Sequence, residues 1–163
     1  FGSLAFKDYI PDYSDLVAQT LEKSGAVIYA KSNTPEFEAG ASTFNEVFGI
    51  TRNPWNIKCS TAGSSGGAAA SVATGMAFIA QGSDFACSIR YPAAFCGIVG
   101  LRPTPGLVPQ GPNRLPHQNL SVIGPLARRR RERRKRKMVI VIIIVIAMII
   151  MIIIVITMTT IPI

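Results

Sequence analysis

The sequence predicts an α/β domain in residues 1–127, because segments with helical spacing alternate with short apolar runs typical of strands. Three regions carry this prediction. Residues 12–30 contain a helix followed at once by a strand, residues 62–74 form a glycine-rich turn leading into a helix of small residues, and residues 76–101 contain two more strands with a helix between them. A chain of this length can bury a single hydrophobic core.

The first predicted helix covers residues 12–24. Its apolar residues recur at helical spacing: Tyr13, Leu16, Val17 and Leu21. Asp12 is a suitable N-cap and Gly25 a suitable stop. Residues 26–30, Ala-Val-Ile-Tyr-Ala, follow as a short buried strand.

Residues 32–60 are rich in Asn, Pro, Thr and Gly and predict irregular structure, apart from a short helix around residues 35–39. The elements after the glycine-rich turn follow in order: a helix at 68–74, a strand at 76–80, a tight polar turn at 81–88, a helix from 89 to 95, a strand at 98–101 and a turn at 103–106.

The positive charge of the chain is concentrated in one segment. The 17 Lys+Arg and 9 Asp+Glu residues give a formal net charge of +8. Residues 128–137 hold nine basic residues and one acid, so residues 1–127 are neutral. A nucleic-acid-binding domain should carry its cationic patch on the folded part, and this distribution excludes one.

The three cysteines, Cys59, Cys87 and Cys96, are odd in number and form no CxxC motif. This usage favours a reducing, cytoplasmic compartment over a disulfide framework.

A single histidine, His117, argues against a zinc site with several histidine ligands, and no cofactor or metal is expected. His117 lies in a loop-like stretch, where an exposed residue is the simpler interpretation and a catalytic one the alternative.

The first residues lack an initiator Met and a signal-peptide pattern, so we expect the chain to start inside a larger protein.

Two serine-bearing turns form the candidate site. Ser64 and Ser65 lie in a glycine-rich loop before a helix, where backbone N–H groups lack partners. Ser88 lies 24 residues after Ser64, which is enough chain to cross one helix and one strand and return beside the first turn. A serine nucleophile needs a proton acceptor and oxyanion donors, and tight turns provide donors through their amides. Spacing alone leaves ordinary turns as the alternative, while phosphate binding is less favoured because the loop lacks the Gly-Lys-Ser/Thr ending of a P-loop.

A series of sequence blocks then extends across residues 1–128. The blocks occupy residues 25–37, 44–49, 51–56, 62–67, 82–90, 91–97, 100–104 and 124–128. In this order they resemble the amidase signature family of Ser-Ser-Lys hydrolases. The resemblance implies an incomplete α/β domain with a mixed sheet flanked by helices, and it implies hydrolysis of carbon–nitrogen bonds through a serine acyl-enzyme.

The resemblance also implies a role for each matched residue. Ser88 is the acyl-enzyme nucleophile, and Ser64 is the bridging serine that relays its proton toward a lysine, in this family through a cis peptide bond. Ser65 is a supporting hydrogen-bond partner. Asp84 and Arg90 flank the nucleophile and hold its loop by pairing. Four backbone amides form the oxyanion hole: Phe85, Ala86, Cys87 and Ser88.

Three departures from the family pattern bear on activity. The family has two glycines before the nucleophile, where this chain has Ala86 and Cys87, and side chains there are expected to displace the oxyanion donors. Ala62 replaces the first glycine of the serine loop, a milder change. The family's catalytic lysine is expected upstream of Phe1, and Lys31 is a less favoured substitute base.

Residues 128–163 do not resemble the family. They comprise a basic low-complexity run at 128–137 and a hydrophobic low-complexity tail at 138–163. Residues 138–156 are nineteen consecutive apolar residues, which as a helix would extend about 28 Å, close to the thickness of a bilayer core. The basic run would then lie on the cytoplasmic side. A single-pass membrane helix, a gene-model artefact, and a nuclear-localisation or nucleic-acid role for the basic run remain the alternatives.

The sequence leaves three functions open. The first is an amidase-type hydrolase of a small-molecule amide. The second is the glutamine-hydrolysing subunit of a tRNA-dependent amidotransferase, which would release ammonia to partner subunits. The third is a non-catalytic, membrane-anchored pseudo-enzyme, which the missing lysine and the Ala86–Cys87 pair favour.

Overall fold

Three α-helices and two small antiparallel sheets make up the part of the chain that the computed structural model describes, residues 1–111 and 119–128. The helices are α1 (Leu16–Lys23), α2 (Gly66–Thr74) and α3 (Arg90–Cys96). The strands are β1 (Phe44–Asn45), β2 (Gly49–Ile50), β3 (Ile79–Asp84), β4 (Val99–Gly100) and β5 (Val122–Ala127). β1 pairs with β2 as a hairpin, and the second sheet has the order β3-β5-β4. Single turns of 3-10 helix occur at Leu4–Phe6 and Glu36–Glu38.

Helix α1 begins later than the sequence predicted. Its N-cap is Asp15, whose Oδ1 accepts the Val17 N–H at 3.0 Å. The assignment of this cap to Asp12 was wrong, because a capping carboxylate must reach an amide two or three residues further on in the first turn. Gly25 follows the helix with φ +87°, as a helix stop requires.

The predicted buried strand at residues 26–30 does not form. Val27 is 86% exposed and Tyr29 is 69% exposed, and no described residue pairs with this segment as a strand. Its apolar composition suits a strand, but a strand also needs a hydrogen-bonded neighbour. The Tyr29 hydroxyl donates to the Met76 carbonyl oxygen, and this contact holds the segment beside the end of α2.

Strand β3 lies further along the chain than predicted. Residues 81–84, which were expected to lie in a polar turn, continue the strand because each pairs with a residue of β5. The pairing runs from Ile79 with Ala127 to Asp84 with Val122. β5 was not predicted, and it occupies the centre of a sheet that is antiparallel rather than mixed within the described residues.

The core is built from small side chains. Its buried cluster combines residues of α2, α3 and β5: Ala68, Ala69, Ile89, Ala93, Cys96 and Leu126. Small residues allow α2 to approach its neighbours closely, and a methyl group at Gly67 would overlap the Asn33 backbone. The predictions of α2, α3, the short helix at 35–39 and the strand at 98–101 are confirmed, the last as the two residues of β4.

Among residues 1–111 and 119–128, no helix has the length and apolarity needed to cross a membrane. The segment predicted to span a membrane, residues 138–156, lies outside the described residues. So do His117 and the basic run beyond Arg128.

Replacing Asp15 with Ala should destabilise α1 by about 1 kcal/mol, because the Val17 N–H loses its acceptor. Amide hydrogen exchange over Leu16–Lys23 measures this loss. Asp12→Ala is the matched control and should leave the exchange rates unchanged. Equal effects of the two substitutions would contradict the assignment of the cap.

Candidate active site

The two serine turns lie side by side. The Ser65 N–H donates to the Ser88 carbonyl oxygen at 3.2 Å. Ser64 is 3% exposed, Ser88 is half-buried, and the Gly63–Ser64 peptide bond is cis. Within the described residues neither the Ser64 nor the Ser88 hydroxyl forms a hydrogen bond, so the two hydroxyls are not bonded to each other.

The Ser65 hydroxyl joins the serine loop to the sheet. Its Oγ accepts the Ser83 N–H and donates to the Ser83 carbonyl oxygen, both at 3.2 Å. β3 lies at the edge of the sheet that the described residues form, and at Ser83 a side chain takes the place of a neighbouring strand. A Cβ at Gly82 would lie 2.7 Å from the Ser65 Oγ, so glycine is required for this close approach.

The Asp84 carboxylate organises the loop that carries Ser88. The side chain is fully buried, and its Oδ1 accepts the Cys87 N–H at 2.9 Å. Its Oδ2 accepts the N–H groups of Ile89 at 3.2 Å and Arg90 at 3.4 Å. The N-cap residue of α3, Ile89, has no side chain that can accept a hydrogen bond. Asp84, which lies outside the helix, accepts the hydrogen bonds of its first amides instead.

Two guanidinium groups neutralise this carboxylate. Arg90 binds it in a bidentate manner, with Nε–Oδ2 and Nη2–Oδ1 distances of 3.0 Å. Arg102 Nη1 lies 3.0 Å from Oδ1 and also contacts the Asp84 carbonyl oxygen, while its Nη2 donates to the Leu120 carbonyl oxygen at 2.8 Å. The pairing of Asp84 with Arg90 was predicted from the sequence, but the role of Arg102 was missed. A signal existed, because Asp84 is the only acidic residue between positions 46 and 132.

The network keeps Asp84 ionised. Burial alone would raise the pKa of its carboxyl, but hydrogen bonds from Arg90, Cys87 and Ile89 and the charge of Arg90 outweigh it and lower the pKa to about 2. A carboxylate this acidic accepts hydrogen bonds at neutral pH and does not take up a proton. Asp84 therefore holds the loop and is unsuited to act as a general base.

The amides expected to form an oxyanion hole are not equivalent. The Cys87 N–H is already engaged by Asp84. The N–H groups of Phe85, Ala86 and Ser88 have no hydrogen-bond partner in the described part of the chain. Within the described residues, three of the four amides predicted to bind an oxyanion are thus not engaged in another hydrogen bond.

Two non-glycine residues of the site adopt left-handed backbone conformations. Cys87 has φ +81° and Ala62 has φ +58°, and both stand where the family resemblance places glycine. Ala86 is not among the described residues with positive φ. Of the two substituted glycines before Ser88, only the position of Cys87 requires the conformation that glycine favours.

No base adjoins the serines among the described residues. The lysines in this part of the chain are exposed, and none forms a hydrogen bond or ion pair with Ser64 or Ser88: Lys7, Lys23, Lys31 and Lys58. Lys31, the substitute base considered from the sequence, therefore makes no direct contact with either hydroxyl.

A family model described as amidase matches residues 1–135. The chain is 47% identical over 127 residues to the A subunit of the glutamyl-tRNA(Gln) amidotransferase of Lachnoclostridium phytofermentans, covering 78% of this chain and 26% of the relative. The corresponding protein of Carboxydothermus hydrogenoformans is 50% identical over 127 residues, with the same coverage. The chain therefore spans about a quarter of the length of the curated relatives it matches.

Solved structures show the same likeness. A 6-aminohexanoate cyclic dimer hydrolase in complex with its substrate superposes with a TM-score of 0.72 at 38% identity, over 77% of this chain and 27% of that one. The A subunit of the glutamyl-tRNA(Gln) amidotransferase of Thermotoga maritima superposes with a TM-score of 0.68 at 38% identity, over 77% of this chain and 28% of that one.

The stability that Asp84 contributes should depend on pH. Its folded-state pKa of about 2 lies below the ordinary value of 3.8, so the contribution is present above pH 3.8 and lost as pH falls toward 2. The difference in unfolding free energy between the unmodified chain and Asp84→Asn should narrow by about 2 kcal/mol from pH 5 to pH 2. Denaturant unfolding at each pH measures it. Asp12→Asn, at an exposed position, is the control and should show no such change with pH. If the difference in unfolding free energy between the unmodified chain and Asp84→Asn does not depend on pH, the prediction is wrong.

Replacing Cys87 with Gly should raise the unfolding free energy by about 1 kcal/mol, because glycine adopts positive φ without strain. Ala86→Gly is the matched control in the neighbouring residue. It should lower the unfolding free energy slightly, because glycine there only adds freedom to the unfolded chain. Thermal unfolding of the two variants measures both effects, and stabilisation by Ala86→Gly alone would overturn this account of the loop.

Proposed function

This chain belongs to the amidase family, and from that premise we propose that it forms part of an amide hydrolase in which Ser88 is the nucleophile. One observation supports this proposal above the others. The hydrogen bond from Ser65 N–H to the Ser88 carbonyl joins two turns. In the part of the chain that the structure describes, these turns carry two serine hydroxyls and three backbone amides that form no hydrogen bond. Nucleophile, relay and oxyanion donors require this grouping.

In the proposed reaction, the Ser88 Oγ attacks the carbonyl carbon of the substrate amide. Its proton passes to Ser64 and from there to a base. The amides of Phe85, Ala86 and Ser88 stabilise the oxyanion. The carbon–nitrogen bond then breaks, the amine leaves with a proton, and water hydrolyses the ester to restore the Ser88 hydroxyl.

The base in this scheme comes from outside the described residues. The family resemblance implies a lysine in this role. The described part of the chain thus contributes the nucleophile and the relay, and the whole active site needs at least one further residue.

A second, finer proposal concerns the substrate. Several relatives at 44–50% identity carry the name of the A subunit of glutamyl-tRNA(Gln) amidotransferase. This likeness supports the side-chain amide of glutamine as substrate, with ammonia passed to partner subunits. The membrane-anchored alternative depended on residues 138–163, and no observation on the described residues favours it.

A chimera tests the proposed function. Residues 1–127 would replace the matching segment of the Lachnoclostridium phytofermentans relative, assembled with the other subunits of that amidotransferase. The chimera should release ammonia from glutamine. Ser88→Ala should lower kcat by about 10³-fold or more, because the nucleophile is lost, and Ser64→Ala should also lower it strongly.

Ser71→Ala is the matched control. The Ser71 hydroxyl donates to the Ala68 carbonyl within α2 at 2.8 Å and does not contact the site, so kcat should change less than about twofold. A folded and assembled chimera without activity would contradict the proposed function. Retained turnover in Ser88→Ala would contradict the assignment of the nucleophile.

A further inference from the structure

Helix α2 is not capped by its own N-cap residue. Ser65 occupies this position, but its hydroxyl binds the Ser83 backbone and makes no capping hydrogen bond. The first amides of a helix have no partner within the helix, and leaving one unpaired in a buried position costs free energy. Gly66, the first residue of α2, is buried, so its N–H needs an acceptor from another part of the chain.

Thr43 supplies this acceptor from the segment that leads into β1. Its Oγ1 accepts the Gly66 N–H at 3.0 Å, and its side chain is 1% exposed. The same hydroxyl donates to the Ala62 carbonyl oxygen at 2.9 Å, with the Ser64 carbonyl oxygen at 3.3 Å. A hydroxyl has one proton to donate and lone pairs to accept, so both capacities are used here.

These contacts lie on both sides of Ser64, and we propose that Thr43 is a positioning residue for it. Thr43 holds the chain at Ala62 and at Gly66, and the orientation of the Ser64 hydroxyl follows from these two points. Thr43 is itself held in the hairpin, where its carbonyl oxygen accepts the Thr51 N–H at 2.9 Å. The role of Ser64 as relay rests on the proposed function, but the contacts of Thr43 do not.

Gly66 is adapted to this arrangement. A Cβ at this position would overlap the hydroxyls of both Thr43 and Thr61. The two threonines are equally buried, yet only Thr43 binds the Gly66 N–H. The Thr61 hydroxyl lies 3.1 Å from the Ala62 carbonyl oxygen and 3.4 Å from that of Thr51. Thr61 therefore provides a matched control in the same environment.

The first experiment measures amide hydrogen exchange of Gly66 in the ¹⁵N-labelled full chain. Thr43→Val removes the hydroxyl with little change of shape and should speed exchange about tenfold, the effect of losing one hydrogen bond. Thr43→Ser keeps the hydroxyl and should restore slow exchange. Thr61→Val should leave the exchange of Gly66 unchanged. Slow exchange in Thr43→Val would overturn the proposal.

A second measurement uses a fluorophosphonate on the chimera described above, without a substitution and with each Thr43 substitution, because the chimera also contains the segments that this chain lacks. The Ser88 oxygen forms a bond to phosphorus, fluoride leaves, and the proton goes to solvent or a base. Thr43→Val should lower the maximal rate constant of modification about tenfold without changing the half-saturating concentration, and Thr43→Ser should restore the rate. A change in the half-saturating concentration alone would overturn the positioning role.

The two measurements separate this proposal from the proposed function. If the fluorophosphonate does not modify Ser88 in the chimera without a Thr43 substitution, while Gly66 follows the expected exchange pattern, the proposed function fails and the contact of Thr43 stands. If Thr43→Val does not fold, the exchange of the Gly66 amide in the chain without substitutions and in Thr43→Ser tests the proposal. Both should show slow exchange at Gly66, and fast exchange in either would overturn the proposal.

Discussion

The geometry of the candidate site depends on one buried carboxylate. Asp84 is removed from water, which would destabilise an unpaired charge by several kcal/mol. Three backbone N–H groups and the guanidinium groups of Arg90 and Arg102 offset this penalty. One group therefore joins the end of β3, the loop that carries Ser88, the start of α3 and, through Arg102, the segment before β5. Removing it would release the loop that carries Ser88 from all of these elements at once.

The loop that carries Ser64 and Ser65 lies beside the loop that carries Ser88 because both are attached to consecutive residues of β3. Ser65 binds the backbone of Ser83, and Asp84, the next residue, binds the amides around Ser88. Because the Ser65 hydroxyl is used at the edge of β3, the start of α2 requires a cap from elsewhere, which Thr43 provides. Strand, serine loop and hairpin are thus linked by side-chain hydroxyls that replace missing backbone partners.

Local signals in the sequence were enough to predict α2, α3 and the two serine turns, and the family resemblance implied the pairing of Asp84 with Arg90. They failed where a partner distant in sequence decides the structure. Residues 26–30 have the composition of a strand but pair with no strand among residues 1–111 and 119–128. β5 was missed because Gly124 and Pro125 interrupt it. Arg102 lies 18 residues from Asp84 and Thr43 lies 23 residues from Gly66, so local spacing does not indicate their contacts. For Arg102 the signal is not local: Asp84 is the only acidic residue between positions 46 and 132.

The two left-handed residues show why side chains are tolerated where the family resemblance places glycine. The N–H of Cys87 is bound by Asp84 and its carbonyl oxygen by the Tyr91 N–H at 2.8 Å. The N–H of Ala62 is bound by the Ser60 hydroxyl at 2.9 Å and its carbonyl oxygen by Thr43. Hydrogen bonds on both sides hold each backbone in place, at a cost of about 1–2 kcal/mol for the left-handed conformation. Both side chains are therefore compatible with the backbone conformation that the loops adopt, and in the proposed oxyanion hole the Cys87 amide is the one already bound by Asp84.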